Sequence, residues 1–227
     1  MNCIVTAGPT YEPVDEVRRL TNFSTGRLGT LLANHLAAQG HKTTLLLGYY
    51  ATFRGAAQSL RVVEFTTTQS LFELLRNAAA DRCDAVFHAA AVSDFTIAKV
   101  WRRQPDGLLE EIAARKIPTH EGSLFAELRP APKIIAQLRS WHPHGLLVGW
   151  KCELDGTRPD VLAKGLAQIR ANQTDACVVN GAAYGQGFGL VSGGGDGGLH
   201  CPDEESLFEA LSWLLSRHAQ IAGKSAG

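Results

Sequence analysis

The stretch Ile4-Val5-Thr6-Ala7-Gly8-Pro9-Thr10, continued by Thr21-Asn22-Phe23-Ser24-Thr25-Gly26-Arg27-Leu28-Gly29, decides the fold. Its first part is apolar and β-branched, which predicts a short buried strand. The strand ends at Gly8-Pro9, a pair that favours a turn. The second part is small and polar, and it stands immediately before an amphipathic run. The whole stretch therefore predicts a strand, a long loop and a helix.

The amphipathic run from Leu28 to Gln39 predicts that helix, which is closed by Gly40. Ser24 or Thr25 is the expected N-cap of its first turn. The first turn of a helix presents free backbone N–H groups and the positive end of its dipole. We therefore expect an anion site above the carboxyl end of the first strand.

The rest of the chain alternates strands and helices. Further strands are predicted at 42–48, 60–65, 85–92, 145–150 and 175–180, and helices at 70–80, 133–140, 161–171 and 204–218. Such alternation predicts an α/β fold with a mostly parallel sheet and helices on both faces. In such sheets ligands bind beyond the carboxyl ends of the strands, where Gly8 and the segment 90–94 are expected.

Two regions depart from this pattern. Residues 95–130 predict a flap, with a loop at 101–107, a short helix at 108–116 and a strand at 124–129. The glycine-rich segment 185–198 predicts a C-terminal β-hairpin. We therefore expect a single domain at 1–220 and a loose tail at 221–227.

Composition excludes several classes of protein. The 227 residues contain 22 basic and 22 acidic side chains, so no charge surplus indicates a nucleic-acid or membrane partner. The chain enters its first strand without a signal peptide and has no apolar run that could span a bilayer. Its five scattered cysteines are typical of reduced thiols, and we expect a cytoplasmic protein.

Common nucleotide and catalytic motifs are absent from the sequence. No G-x-G-x-x-G follows the first strand and no acidic residue ends the second, which disfavours a nicotinamide dehydrogenase. The P-loop, the zinc-binding H-E-x-x-H pattern and the hydrolase G-x-S-x-G elbow are also missing. We predict no metal ligands in the protein.

Six segments in order resemble the phosphopantothenoylcysteine synthetase family, also called phosphopantothenate–cysteine ligases. They are T-A-G-P-T, V-R-R-L-T-N-F-S-T-G-R-L-G, A-A-A-V-S-D-F, R-K-I-P-T-H-E-G-S-L, L-V-G-W-K-C-E-L-D and T-D-A-C-V-V-N. Together they cover the chain from Cys3 to about His200. The resemblance implies a Rossmann-like fold and a homodimer. It also implies a synthetase domain without the flavin-dependent decarboxylase that precedes it in many bacterial fusions, and hence no flavin.

The resemblance also implies a reaction. The family activates the carboxylate of 4′-phosphopantothenate with a nucleoside triphosphate and Mg²⁺, forming an acyl-nucleotidylate and pyrophosphate. The amine of L-cysteine then displaces the nucleoside monophosphate, in a step of coenzyme A biosynthesis. Both first reactants are anionic, so the site needs donors and cations aimed at the developing charge.

Residue roles follow from the same resemblance. Lys116 would neutralise the α-phosphate, and Asn22 would hold the acyl intermediate near the incoming amine. The predicted substrate-binding residues are Arg18, Ser24, Thr25 and Gly26, and the predicted nucleotide-binding residues are Gly8, Ala90, Ala91, Asp94, Lys133, Trp150 and Asn180. Each has a structural alternative: a surface lysine or salt bridge, a turn or cap residue, tight helix–sheet packing, or a core tryptophan.

The sequence departs from the family at Pro132-Lys133-Ile134, where bacterial members have P-D-I, in a longer segment at 96–114, and at two lysine positions. Bacterial members carry two lysines where this chain has Gln168 and Asn172. Segments such as W-K-C-E-L-D favour the ATP-using branch slightly over the CTP-using one, and Lys133 or Lys151 is a candidate for the missing charge. Two other hypotheses stay open: a nucleotide-cofactor oxidoreductase, and a binding module that lost its activity with those lysines.

Overall fold

The computed structural model of the chain describes residues 1–118, 122–193 and 198–224, with side chains up to residue 221. The strands are β1 (Asn2–Ala7), β2 (Tyr11–Pro13), β3 (Arg19–Thr21), β4 (Lys42–Gly48), β5 (Arg61–Phe65), β6 (Ala85–His88), β7 (Phe95–Arg103), β8 (Leu109–Glu111), β9 (Leu124–Pro130), β10 (Leu146–Cys152), β11 (Ala176–Asn180), β12 (Phe188–Ser192) and β13 (Leu199–Cys201). The α-helices are α1 (Arg27–Ala38), α2 (Thr68–Ala78), α3 (Leu138–Trp141), α4 (Arg158–Asn172) and α5 (Glu204–Lys224), with a 3-10 turn at Ile134–Ala136.

The central sheet has the order β13-β12-β11-β10-β6-β1-β4-β5. The strands from β11 to β5 run parallel to one another, whereas β12 is antiparallel to β11 and β13 is antiparallel to β12 at one edge. The chain starts at β1, winds outward through β4 to β5, and then returns to the other side of β1 at β6. This is the doubly wound order of a Rossmann fold, with its switch point between β1 and β6.

Helices cover both faces of the sheet because its strands are apolar on both sides. In β1, Val5 belongs to the core that contains Leu32 of α1 and Leu211 of α5. Ile4, one residue earlier, belongs to the opposite core, which contains Leu71 of α2. This alternation of consecutive residues is the two-residue period of a strand. The predicted α/β fold, with a mostly parallel sheet and helices on both faces, is therefore confirmed.

The C-terminal part contains the predicted hairpin. Strands β12 and β13 pair antiparallel, with Phe188 opposite Cys201, although residues 194–197 of the predicted segment lie outside the described residues. The last helix was predicted to end at His218 but continues to Lys224. Residues 221–224 are thus helical and not loose, and residues 225–227 of the predicted tail lie outside the described residues.

The flap is a three-stranded antiparallel sheet in the order β8-β7-β9. The predictions of a loop at 101–107 and a helix at 108–116 are wrong, because β7 runs to Arg103 and β8 occupies Leu109–Glu111. Cross-strand pairing decides this region: Arg102 lies opposite Glu110, and the two side chains form an ion pair at 2.7 Å.

The start of α1 differs from the prediction. Its N-cap position is Gly26 in the left-handed conformation and not Ser24 or Thr25. The hydroxyl of Thr25 nevertheless accepts the backbone N–H of Arg27 at 3.3 Å, so the predicted contact of Thr25 with the first turn is present, whereas Ser24 makes no such bond among the described residues. Only glycine adopts φ near +78° without strain, and this conformation turns the chain from the long loop into the helix. None of the described helices combines the length and apolar character needed to span a membrane.

Candidate active site

Two adjoining clefts lie at the carboxyl ends of the parallel strands. The first, which we call the glycine cleft, has a volume of about 700 Å³. It is lined by Gly8, residues 22–29, residues 89–92, residues 150–152 and Asn180. It opens between the first turn of α1 and the end of β6, at the switch point where such folds bind ligands.

Three glycines shape this cleft. A Cβ atom on Gly26 would lie 3.3 Å from the backbone of Gly8, and one on Gly29 would lie 2.7 Å from Cβ of Ala7. Gly8 has φ +82° and ends the strand, while Gly26 and Gly29 let α1 approach the end of β1. In a Rossmann fingerprint three glycines perform these same tasks. Here the β2–β3 segment separates the first glycine from the other two.

Asn22 connects the two sides of the glycine cleft. Its Nδ2 donates to the carbonyl oxygen of Ala91 at 3.1 Å, which joins the loop before α1 to the loop after β6. Among the described residues, its Oδ1 has no hydrogen-bond partner. Asn22 thus presents one amide acceptor beside a cleft wall made mainly of backbone and small side chains.

The second cleft, the lysine cleft, has a volume of about 910 Å³. Its lining includes His88, Asp94, Lys133, Lys151, Glu153, Lys164, Gln168 and Asn172, together with residues 130–135. Ala90, Val92, Trp150 and Lys151 line both clefts, so the two sites meet at the ends of β6 and β10.

Glu153 organises the cations of the lysine cleft. Its side chain, 16% exposed, pairs with Lys151 at 3.0 Å and also with Lys164 of α4. The hydrogen bonds from Lys164 and Lys151 lower the pKa of Glu153, and the bond to Glu153 raises the pKa of Lys164. Lys133 also lines this cleft and has no ion pair with a described residue. The cleft therefore combines three cations with two carboxylates, of which Glu153 is paired with two of the lysines and Asp94 has no ion pair with a described residue.

The two amides that replace the family lysines turn towards backbone groups. Gln168 packs against Gly149, and its Nε2 approaches the carbonyl oxygen of Trp150 at 3.4 Å. Asn172 donates to the carbonyl oxygen of Gln168 at 2.8 Å. Lys164 lies one helical turn before Gln168 on the same side of α4. The sequence interpretation missed Lys164, although its i, i+4 spacing from Gln168 was a usable signal.

Trp150 lies between the two clefts. Its Nε1 is buried and has no hydrogen-bond partner among the described residues, which is uncommon for an indole N–H. A ligand that bridges both clefts would come within reach of this residue.

The structure brings most of the predicted site residues together. Those that line the glycine cleft are Gly8, Asn22, Ser24, Thr25, Gly26, Ala90, Ala91, Trp150 and Asn180. Asp94 and Lys133 line the lysine cleft with Ala90 and Trp150. Arg18 and Lys116 line neither.

Arg18 and Lys116 belong to a separate contact beside the clefts. The guanidinium of Arg18 bonds Asp15 at 2.6 Å and the carbonyl oxygen of Ile117 at 2.5 Å. The backbone N–H of Ile117, with help from Arg18, holds the pKa of the Asp15 carboxyl well below its usual range. This contact anchors the segment after β8, where Lys116 is exposed and has no ion pair with a described residue. Residues 119–121 of the matching motif lie outside the described residues.

The strand order and the clefts at its switch point define the chain as a doubly wound α/β protein of the Rossmann class. Within this class, it belongs to the family of DNA/pantothenate metabolism flavoprotein C-terminal domains, which matches residues 1–193.

Three comparisons illustrate this membership. The chain is 33% identical over 187 residues to a protein of an unknown prokaryotic organism named cysteine/cysteine sulfinic acid decarboxylase, covering 82% of the chain and 47% of that protein. It is 29% identical over 180 residues to the coenzyme A biosynthesis bifunctional protein CoaBC of Thermococcus kodakarensis, covering 78% and 40%. The chain thus spans less than half of these relatives. Its fold matches that of a Cab2 mutant in complex with phosphopantothenate-cysteine, with a TM-score of 0.77, 19% identity and coverage of 100% and 89%.

Proposed function

We propose that this chain is a phosphopantothenate–cysteine ligase domain, which joins 4′-phosphopantothenate to L-cysteine at the expense of a nucleoside triphosphate. The observation that carries this proposal is the pair of adjoining clefts in a member of this family, one lined mainly by glycines and small side chains and the other rich in lysines. The relative named for coenzyme A biosynthesis and the solved complex with phosphopantothenate-cysteine support the same substrates.

The proposed reaction has two steps. In the first, the carboxylate of phosphopantothenate attacks the α-phosphorus, and pyrophosphate leaves with the electrons of the broken P–O bond. In the second, the amine of cysteine attacks the acyl carbon of the acyl-nucleotidylate. Nucleoside monophosphate leaves, an amide forms, and the amine loses a proton. Both steps gain most from positioning and from charge stabilisation.

The nucleoside triphosphate is assigned to the lysine cleft. Lys133, Lys151 and Lys164 supply positive charge where a polyphosphate needs it, and Asp94 adds a polar acceptor. The nucleotide enters as its magnesium complex, so the metal belongs to the substrate. We propose ATP, slightly ahead of CTP, because the sequence segments described above resemble the ATP-using branch more closely. The phosphorylated acid is assigned to the glycine cleft, where the first turn of α1 offers backbone donors to an anion. This assignment changes the proposed role of Gly8, Ala91 and Asn180, which were predicted to bind the nucleotide but line only the glycine cleft.

The reacting centre is assigned to the region where the clefts meet. Ala90, Ala91 and Trp150 lie there, and Asn22 presents a free amide oxygen that suits an incoming amine. We keep Lys116 as the proposed α-phosphate cation because of the motif around it; since it lines neither cleft, this role requires its unpaired ammonium group to reach the point where the clefts meet. Arg18 is reassigned to anchoring the Lys116 segment through Ile117.

The proposal includes a homodimer in the cytoplasm. The flap exposes a group of apolar side chains, Phe95, Leu109, Leu124, Phe125 and Leu128, each at least 37% exposed. Solvent-exposed apolar patches of this kind often mark protein–protein contacts. Light scattering on purified protein tests this part separately, and a monomer at all concentrations would refute it.

Pyrophosphate release tests the proposed function. Purified protein is incubated with phosphopantothenate, Mg²⁺ and either ATP or CTP, with and without cysteine. Release that requires phosphopantothenate, followed by a thiol-bearing amide when cysteine is added, is the expected result. Nucleotide binding without turnover would instead favour a binding module, and tightly bound NAD(P) or flavin would favour an oxidoreductase.

A further inference from the structure

His88 is a buried histidine on the floor of the lysine cleft that the ligase proposal does not use. It ends β6, between Thr6 of β1 and Gly149 of β10 in the register of the sheet. The residue is only 6% exposed, yet it lines the cleft. Gly149 has no side chain of its own beside His88, and Gln168 and Ile135, which also line the cleft, pack over this glycine.

Hydrogen bonds fix the tautomer of this imidazole. Nδ1 of His88 lies 3.0 Å from Oγ1 of Thr6, and that same oxygen accepts the backbone N–H of Ala90 at 3.0 Å. Thr6 is fully buried, so its hydroxyl hydrogen needs an acceptor within the protein. Nδ1 serves as that acceptor when the ring hydrogen is on Nε2, and we assign this tautomer to His88.

Nε2 has no partner within the described part of the protein. The buried side-chain atoms that lack partners there are Oγ1 of Thr30, Nε of Arg102, Nε2 of His142, Nε1 of Trp150 and Oγ1 of Thr174. Nε2 of His88 also makes no described hydrogen bond, because the one bond of this ring is made by Nδ1. Nε2 is nevertheless not among these fully buried atoms. Nε2 therefore retains access to the cleft, and it presents an N–H donor at the cleft floor.

The surroundings of His88 indicate which kind of acceptor it meets. Burial lowers the pKa of His88 to about 4, so the ring is neutral near pH 7. Ala90, Val92 and Ile135 provide an apolar wall in the same cleft, whereas the exposed lysines supply its charge. A phosphate is better served by the lysines than by a neutral donor. A neutral donor between apolar walls suits a ring nitrogen or carbonyl oxygen of a flat heterocycle.

We propose that His88 is a specificity residue whose Nε2–H donates to an acceptor atom of the nucleobase bound in the lysine cleft. This inference rests on the proposed function, since it names the contact that holds the base of the nucleoside triphosphate. Thr6 acts as a positioning residue, because it selects the tautomer that can donate.

Nuclear magnetic resonance of the wild-type protein tests the tautomer and the contact. Protein labelled with ¹⁵N-histidine is titrated with Mg·ATP, with Mg·CTP and with Mg·tripolyphosphate, which has phosphates but no base. We expect the Nε2–H tautomer for His88, and a shift of its Nε2 resonance with at least one nucleotide but not with tripolyphosphate. An Nδ1–H tautomer, or equal shifts with tripolyphosphate, would overturn the proposal.

Two variants test the energetic contribution. His88→Leu removes the donor and should weaken binding of the preferred nucleotide about tenfold, the value of one hydrogen bond to a neutral acceptor. His88→Gln keeps an N–H donor and should recover part of that loss, and tripolyphosphate binding should be unchanged in both. Equal nucleotide affinity in wild type and His88→Leu would refute the role of His88. Failure of the ligase itself would appear separately, as absent pyrophosphate release in the wild type.

Discussion

The two clefts are built by different physical means, although they share Trp150 and Lys151. The glycine cleft is lined mainly by glycines and small side chains, together with larger ones such as Arg27, and its shape depends on the close approach of α1 to β1. The lysine cleft offers side chains that project from β10, α4 and the loop after β9. A backbone site cannot change without changing the fold, whereas a side-chain site can exchange residues at little structural cost. The departures at Gln168 and Asn172 both fall in the lysine cleft.

The largest expected effect distinguishes the two half-reactions, which are activation of the acid with pyrophosphate release and transfer of the acyl group to cysteine. Asn22→Asp places a carboxylate against the carbonyl oxygen of Ala91 and near the acyl-nucleotidylate, so transfer to cysteine should fall on the order of 10²–10³-fold. Pyrophosphate release in a single turnover should persist. Lys116→Gln should instead stop pyrophosphate release. Rapid-quench measurement of both half-reactions checks this, and equal loss of both steps in both variants would contradict the division.

The next effect tests whether close backbone approach builds the glycine cleft. Gly8 and Gly40 have nearly equal φ values, +82° and +83°, but a Cβ on Gly8 would lie 2.9 Å from Cβ of Ala51, whereas one on Gly40 meets nothing within 4 Å. Gly8→Ala should lower the free energy of unfolding by about 3 kcal/mol, and Gly40→Ala by about 1 kcal/mol. Urea denaturation measures both. Equal losses would show that only backbone strain matters at Gly8.

A third effect concerns the buried imidazole of the lysine cleft. The pKa of His88 falls from 6.5 to about 4 on folding. Between these pH values the imidazole is therefore protonated in the unfolded chain and neutral in the folded chain. Stability is therefore lost as the pH falls through this window, by about 2 kcal/mol between pH 7 and pH 5.

The His88→Gln variant is the matched control for this effect. Its unfolding free energy should change less over the same range, while His41 and His142, whose pKa values burial also lowers, contribute equally to both proteins. Parallel pH profiles for wild type and variant would contradict a neutral buried His88.

The smallest effect tests the cations of the lysine cleft. Lys164→Gln removes one charge that faces the proposed triphosphate and should raise the Kd for Mg·tripolyphosphate about tenfold. Lys99→Gln is the control, because Lys99 forms a comparably exposed ion pair with Glu111 in the flap, away from both clefts. Isothermal titration calorimetry measures both variants, and the same Kd in both would remove Lys164 from the site.

Sequence patterns predicted the central sheet well and the flap poorly. The strands of the sheet are apolar and have buried neighbours on both faces, so their pattern reflects burial directly. In the flap, Trp101, Arg102 and Glu110 are placed by cross-strand partners that no local pattern reveals. For the same reason the Glu153 pair with Lys164 was missed, since β10 and α4 meet only in the folded chain.

The sequence by itself determined the alternation of strands and helices, the family and most of the residues that line the glycine cleft. Local burial periods and ordered motifs carry that information along the chain. Only the tertiary structure joined Gly8 to Gly26 and Gly29 across the β2–β3 segment, so that a fingerprint absent from the sequence is present in space. It also decided the environment of His88 and the ion pairs of Glu153. Contacts between residues distant in sequence depend on how the sheet and helices pack, and no local pattern encodes that packing.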